Sequence, residues 1–451
     1  MEAISDTEGK VKADLHPVMV GVYYVLKLVV RLSIRAFYSA IEIIDSSRLD
    51  FDNPCIVVSN HPSTLMDPLN TAAHVKRKIV FFLAKASLFR TPFTNWLFNT
   101  FYCIPVERYQ DTNGRPPHNQ EAFRRSATHL LQGGCLYIAP EGTSWPERRL
   151  YPIKTGTARI AFQAMQRSKW RLPLTILPVG LNYSDPRKGR ATLIIHVGKP
   201  IEVKRYREEY DIDPFDAVHE LTDKIRQRLA SLIINTRNDD EDLLLRRLEI
   251  LHQNQHNPSP AGHHFWAQAM LDELRHMAKS TPDLYEALRR KVAHYFHLLA
   301  HYKLWDAGVC MRRMRKRDLT FVVLGFPLWL FGKLNNFLPA HLPAWVNARF
   351  NRDPAYDSTF KYLTGLVVFP LFYLLQTWWV YRQFEYLMAT VLYAAALWPS
   401  AIYMWHWEKR LRQLWHAYRF RRLWRAQRDE AFQLIELREA IFDFFRKVGL
   451  D

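Results

Sequence analysis

The sequence predicts a layered α/β domain joined to a C-terminal helical membrane region, and two observations predict it. Residues 50 to 235 alternate short apolar, strand-like runs with longer amphipathic ones, the order of strands and helices that builds α/β layers. Near the C-terminus, Tyr362 to Tyr381 and Tyr386 to Trp407 are uncharged, each long enough to cross a hydrocarbon core of roughly 30 Å as a helix. The chain of 451 residues has 62 Lys plus Arg against 44 Asp plus Glu, a formal +18, so its partner surface is expected to be anionic. Cys55, Cys103, Cys135 and Cys310 lie far apart, which predicts neither a disulfide scaffold nor a metal site.

Residues 1 to 16 are polar and mixed in charge, without the basic-then-apolar order of a secretory signal, so the soluble part is expected in the cytoplasm. Residues 17 to 44 are apolar but carry Lys27, Arg31 and Arg35 at spacings of four. That spacing predicts one helix with a single cationic stripe, lying in the membrane interface with its cations toward phosphates; the alternative is an ordinary amphipathic helix packed on a soluble core. Residues 45 to 235 form the α/β domain. Strands are expected at 55–60, 78–84, 135–140, 174–183 and 191–198, and helices near 63–75, 119–132, 155–168 and 214–235. Residues 236 to 310 read as polar helices, a docking layer or a spacer.

Residues 311 to 408 are the membrane region. Leu319 to Gly332 is apolar for only 14 residues before Lys333, Asn335 and Asn336 interrupt it, which suits a partial, re-entrant segment. The two full spans are separated by Arg382 to Glu385 and form a tight hairpin. Basic segments at 311–317 and 408–428 flank the region; the positive-inside bias puts both on the cytoplasmic side and requires an even number of crossings. Residues 409 to 451 are expected to form a basic amphipathic helix.

Three polar clusters fall where strands end: SNHPSTLMD (59–67), CIPVER (103–108) and APEGTSWPERRLYPIKTG (139–156). In an α/β layer this is where functional loops gather. Singly, each also reads as a cap, a turn or a solvated charge. In order, NHPSTLMD, IPVER, PEGTS and LPVG resemble the four sequence blocks of the glycerolipid acyltransferases, over roughly residues 50 to 200. The continuation LYPIKTGTARIAF and the long C-terminal membrane region look closer to the glycerol-3-phosphate or dihydroxyacetone-phosphate acyltransferases. The usual first block has four residues between His and Asp, whereas His61 and Asp67 have five, so the turn must absorb one residue if Asp67 is to reach the imidazole. In the third block Ala139 stands where Phe is common and Ser144 where Arg is common.

Acyl transfer from a thioester to an alcohol needs a base, and a neutral imidazole suits that role near pH 7. His61 is the candidate, with Asp67 as the carboxylate that fixes its tautomer. No Gly-x-Ser-x-Gly elbow occurs, which favours direct attack by the acceptor alcohol. By resemblance Arg108 and Lys154 would hold the phosphate of a glycerol phosphate acceptor, Lys154 also by its place at a helix start. Glu141, Gly142 and Thr143 would meet the acceptor, Glu141 at a glycerol hydroxyl. The resemblance implies acyl-CoA or acyl carrier protein as thioester co-substrate, no cofactor or metal, and an integral membrane protein of the cell inner membrane whose catalytic domain faces the cytoplasm. Lysophosphatidic acid or another lysolipid is the alternative acceptor, and a non-catalytic lipid-binding scaffold is the alternative of another class. The basic residues cluster beside apolar spans, so anionic lipids rather than nucleic acid are the expected anion.

Overall fold

The structure, a computed structural model, describes residues 17–112, 114–310 and 316–450. The polar N-terminus and residues 311–315 of the first basic segment lie outside the described residues. The chain divides into two compact units, one of residues up to Asn235 together with Asp353–Thr359, the other from Thr236 to Arg352 and from Phe360 onward.

The first unit is built on an eight-stranded mixed sheet. Its strands are β1 (Ala40–Ile44), β2 (Cys55–Ser59), β3 (Val80–Lys85), β4 (Cys103–Val106), β5 (Cys135–Ile138), β6 (Thr175–Tyr183), β7 (Thr192–Val197) and β8 (Ile201–Glu202), in the order β1-β7-β6-β2-β5-β3-β4, with β8 on β6. Strands β6, β2, β5, β3 and β4 run parallel, whereas β7 is antiparallel to β6. The central strands CIVVS and CLYI are buried at every position, as unbroken apolar runs in a parallel sheet must be. Between strands lie α2 (Met66–Ala72), α3 (Pro92–Thr100), α4 (Gln120–Leu131) and α5 (Gly156–Arg167), and after them α6 (Arg207–Ile212) and α7 (Pro214–Ala230). Helices α4, α5 and α7 bury Leu130, Ile160, Phe162, Met165, Leu221 and Ile225 with Ile56, Val58 and Leu136 of the sheet in one core. Each such side chain contributes about 1.5–3 kcal/mol.

The expected helix over 17–44 is corrected. Helix α1 (Pro17–Phe37) ends before β1, whose Ile41, Ile43 and Ile44 prefer the extended backbone and pair with β7. Two cations of the α1 stripe face protein, Arg31 donating to the Ala73 carbonyl at 2.8 and 3.2 Å and Lys27 to the Val75 carbonyl, while Arg35 is exposed. Both carbonyls follow the C-terminus of α2, so the cations lie near its negative dipole end. The exposed face of α1 is instead apolar, with Val18, Val25, Leu28 and Leu32.

The second unit is helical. It contains α8 (Asp239–His256), α9 (Pro260–Ser280), α10 (Pro282–His301), α11 (Asp306–Cys310), α12 (Lys316–Leu324), α13 (Phe326–Phe350), most of α14 (Asp357–Phe384), α15 (Leu387–Ala426) and α16 (Arg428–Lys447). Buried Asp306 accepts from Tyr295 at 2.6 Å and from Arg438 and Asn254 at 2.9 Å, joining α8, α10, α11 and α16. The expected C-terminal helix over 409–451 is therefore two elements: the basic stretch prolongs α15 to Ala426, and α16 packs against the 236–310 helices.

By length and composition α1, Pro354–Phe384 and α15 can each cross a membrane, and the bent pair Arg317–Leu324 and Phe326–Phe350 makes a fourth if it is one span. The pair bends by 53° at Gly325, where Pro327 in the first turn of α13 removes a backbone donor. The polar residues that interrupt this apolar run are matched within the unit. Lys333 pairs with Glu408 at 2.9 Å, Tyr393 donates to Asn335 and Tyr373 to Asn336, each at 2.5 Å. Leu371, Leu374, Trp378, Trp379, Leu387 and Leu392 are exposed on α14 and α15, the surface expected of helices solvated by lipid.

Candidate active site

Strands β2, β4, β5 and β6 deliver their C-terminal ends to one edge of the sheet, and the loops that leave them carry the polar clusters. Asn60 extends the β2–β6 ladder by one residue with its side chain: Nδ2 donates to the Leu181 carbonyl at 2.9 Å and Oδ1 accepts from the Leu181 N–H at 2.7 Å. His61 follows where the chain leaves the sheet.

Asp67, in the first turn of α2, reaches the imidazole. Its Oδ2 accepts from His61 Nδ1 at 2.8 Å and from the Ser63 N–H at 2.8 Å. Its Oδ1 accepts from the Tyr183 hydroxyl at 2.7 Å, and that hydroxyl accepts in turn from Asn70, which also donates to Tyr38. The carboxylate is 0 % exposed, so three donors and the helix N-terminus replace the water it has lost. With Nδ1 donating to a carboxylate, Nε2 of the same ring is the basic nitrogen. The extra residue of the turn is absorbed at Thr64, which adopts φ +41°. A β-branched residue in that region costs roughly 1–3 kcal/mol and persists only where its surroundings impose it.

Glu141 braces the same loop from β5. Its Oε1 accepts from the His61 N–H at 2.8 Å and its Oε2 from the Tyr151 N–H at 3.0 Å. The expected acceptor-binding carboxylate thus already serves two backbone donors, with one lone pair left on each oxygen. Burial pushes its carboxyl up from 4.5 to about 7 against the pull of those two hydrogen bonds. Because the folded value exceeds the unfolded one, this group's contribution is fully present below about pH 4.5 and is lost as pH rises through 7, about 3 kcal/mol in all. Glu141→Gln should therefore flatten the fall in unfolding free energy between pH 5 and pH 8 by about 2 kcal/mol, read from denaturant unfolding in detergent. An unchanged slope would show that Glu141 does not titrate in this range.

Next to Glu141, Gly142 takes φ +72°, and a Cβ there would lie 2.9 Å from Lys154 Nζ. Glycine thus serves both the left-handed turn and the close approach of the ammonium. Arg108 donates to the Gly142 carbonyl at 3.1 Å and to Asp111 at 2.8 Å, and Asp111 also pairs with Lys85 at 2.9 Å. Thr143 accepts from Gln110 at 2.6 Å. Burial first, and Arg108 second, lower the pKa of Lys154, as two cations converging on one backbone turn must.

The structure therefore brings His61 and Asp67 into contact, joins Glu141 to them, and gathers Arg108, Gly142, Thr143 and Lys154 on the adjoining turn. Sequence reasoning missed Asn60, Asn70 and Tyr183. Their roles depend on β6 lying beside β2, and strand order is not written in a local motif.

Residues 40–182 match the acyltransferase family model. Glycerol-3-phosphate O-acyltransferase 2 of Saccharomyces cerevisiae is 32 % identical over 136 residues, 30 % of this chain and 18 % of that one. Glycerol-3-phosphate O-acyltransferase 1 of the same yeast is 29 % identical over 197 residues, 41 % of this chain and 24 % of that one. A chloroplastic 1-acyl-sn-glycerol-3-phosphate acyltransferase of Brassica napus is 28 % identical over 193 residues, 40 % of this chain and 50 % of that one. This chain thus spans about a fifth to a quarter of the length of the two yeast relatives. Among solved structures, the 1-acyl-sn-glycerophosphate acyltransferase of Thermotoga maritima superposes with a TM-score of 0.34 at 18 % identity, covering 49 % of this chain and 85 % of that one.

Proposed function

We propose, from the premise that residues 40–182 are a domain of the acyltransferase family, that this protein transfers a fatty acyl group from a thioester to a hydroxyl of glycerol 3-phosphate or dihydroxyacetone phosphate. The observation that carries the reading is the His61–Asp67 pair at 2.8 Å, beside the Arg108 and Lys154 cations. Nε2 of His61 takes the proton of the acceptor hydroxyl as its oxygen attacks the thioester carbonyl. The tetrahedral intermediate collapses, the C–S bond breaks, and the leaving thiolate takes the proton back from the imidazolium. Asp67 stabilises that imidazolium while it exists. Acyl-CoA or acyl carrier protein supplies the acyl group. The site operates on the cytoplasmic side of a membrane, anchored by the apolar helices.

Arg108 and Lys154 hold the acceptor phosphate in the ground state as well as the transition state. Arg108→Ala and Lys154→Ala should each raise the acceptor KM by about tenfold with little change in kcat. A rise in donor KM with acceptor KM unchanged would move these cations to the phosphates of the coenzyme. The test of the reading itself is an assay of the purified protein with labelled glycerol 3-phosphate, dihydroxyacetone phosphate and lysophosphatidic acid, each with acyl-CoA and acyl carrier protein. Faster transfer to lysophosphatidic acid would select the alternative acceptor, and transfer to none would overturn the reading.

A further inference from the structure

The loop that carries His61 and Asp67 is completed by residues nearly three hundred positions away. Asp353–Thr359, the one stretch from beyond Asn235 that belongs to the first unit, lies against the turn that absorbs the extra residue. Thr64 Oγ1 lies 2.6 Å from Thr359 Oγ1 and donates to the Ala355 carbonyl at 3.3 Å. A hydroxyl has one proton, so the consistent assignment has Thr359 donating to Thr64. One residue back, the Ser63 hydroxyl donates to the Pro186 carbonyl at 3.0 Å, and Ser358 donates to the same oxygen at 2.5 Å. Arg187 adds an ion pair to Asp357 at 3.0 Å. The four hydroxyl side chains are buried, so each hydrogen bond lost there leaves a polar group without water to replace it.

The consequence runs to the base. Thr64 is the residue held at φ +41°, and the N–H of Ser63, on its N-terminal side, donates to the same Asp67 oxygen that receives His61 Nδ1. A backbone conformation that threonine disfavours is retained because Thr359 and Ala355 grip its side chain. Released, the turn relaxes, and the Ser63 N–H and the Asp67 carboxylate move relative to the imidazole.

We propose that Thr359 is a positioning residue of the acyl-transfer site, acting through Thr64 to hold the His61–Asp67 loop in its working conformation. The inference rests on the acyl-transfer reading above. Since Asp357 also opens the apolar helix α14, the residues that lead into a candidate membrane span are the ones that set the catalytic loop.

The test compares full-length variants in the acyl-transfer assay, with His61→Ala in parallel. Thr359→Val keeps the shape and removes the hydroxyl; kcat should fall about tenfold or more, with donor and acceptor KM within twofold of wild type. Thr359→Ser restores the hydroxyl and should recover at least half of the wild-type kcat. Thr64→Gly removes both the gripped side chain and the strain, because glycine accepts the positive φ, so Thr359→Val should lower kcat much less in a Thr64→Gly background than in the wild-type chain. Combining Thr64→Gly with Thr359→Val should cost no more than the worse single change, since both break one contact. Wild-type kcat in Thr359→Val, with His61→Ala silent, would overturn the positioning role and leave the acyl-transfer reading standing. A wild-type protein without acyl transfer would overturn both.

Discussion

Replacing His61 by alanine is expected to lower acyl transfer by about 100-fold or more while leaving the fold and membrane association intact. Among the described residues the ring makes one side-chain hydrogen bond, from Nδ1 to Asp67. The His61 N–H still donates to Glu141 and its carbonyl still accepts from Trp145 at 3.1 Å, so an alanine there preserves the loop's main-chain anchors. What disappears is the basic nitrogen. Without it the acceptor hydroxyl must attack with its proton in place or lose it to water, and among the described residues no other imidazole is hydrogen-bonded to the Asp67 carboxylate. Turnover is measured with detergent-solubilised protein whose thermal unfolding matches wild type. Retention of more than a tenth of the wild-type rate would remove His61 from the chemistry.

Asp67→Asn should approach that loss, by about 100-fold, although the substitution changes one atom. Asp67 accepts three hydrogen bonds with two oxygens. An amide offers one oxygen. Turned toward His61 and Ser63, it keeps their donors but points its NH2 at Tyr183, which must then give up its own donation. Turned the other way, it confronts two N–H groups with a third. In either pose the negative charge that stabilises the imidazolium is gone, and it goes in a site where no water screens the change. Since Tyr183 is held by Asn70 as well as Asp67, the amide cannot relax by simple rotation of the phenol. A variant with more than a third of wild-type kcat would show that the Asp67 charge does not serve the reaction.

Much of this was legible in the sequence because it is local. The strands CIVVS, CLYI and LTILPVGLNY are apolar runs bounded by turn residues, and helices α4, α5 and α7 begin and end within a few residues of their amphipathic patterns. The contact between His61 and Asp67 was legible from their types and spacing, and the extra residue between them pointed to the turn in which Thr64 takes φ +41°. What was not legible is what depends on partners far along the chain. Ala40–Ile44 reads as the end of an apolar helix until β7 offers it an edge to pair with. Lys27 and Arg31 read as lipid-facing until the carbonyls of Val75 and Ala73, just past α2, are brought under them. Glu141 reads as a ligand for substrate by motif alone; that its two oxygens also accept from the main chain of His61 and Tyr151 could not be read there. The grip of Thr359 on Thr64 spans 295 positions, and no window of sequence contains both.

On the mechanism proposed above, His61 acts as a base on the acceptor hydroxyl and no acyl-enzyme forms. That mechanism is tested most directly by mixing the protein, at a concentration comparable to the donor, with an acyl thioester labelled in the acyl chain, in the absence of acceptor, and quenching on the millisecond scale. No burst of free thiol and no label on the denatured chain are expected, with label appearing in acylated glycerol phosphate only once the acceptor is added. A burst of thiol equal to the protein present, with the acyl label retained on the chain and then passed to the acceptor, would contradict it.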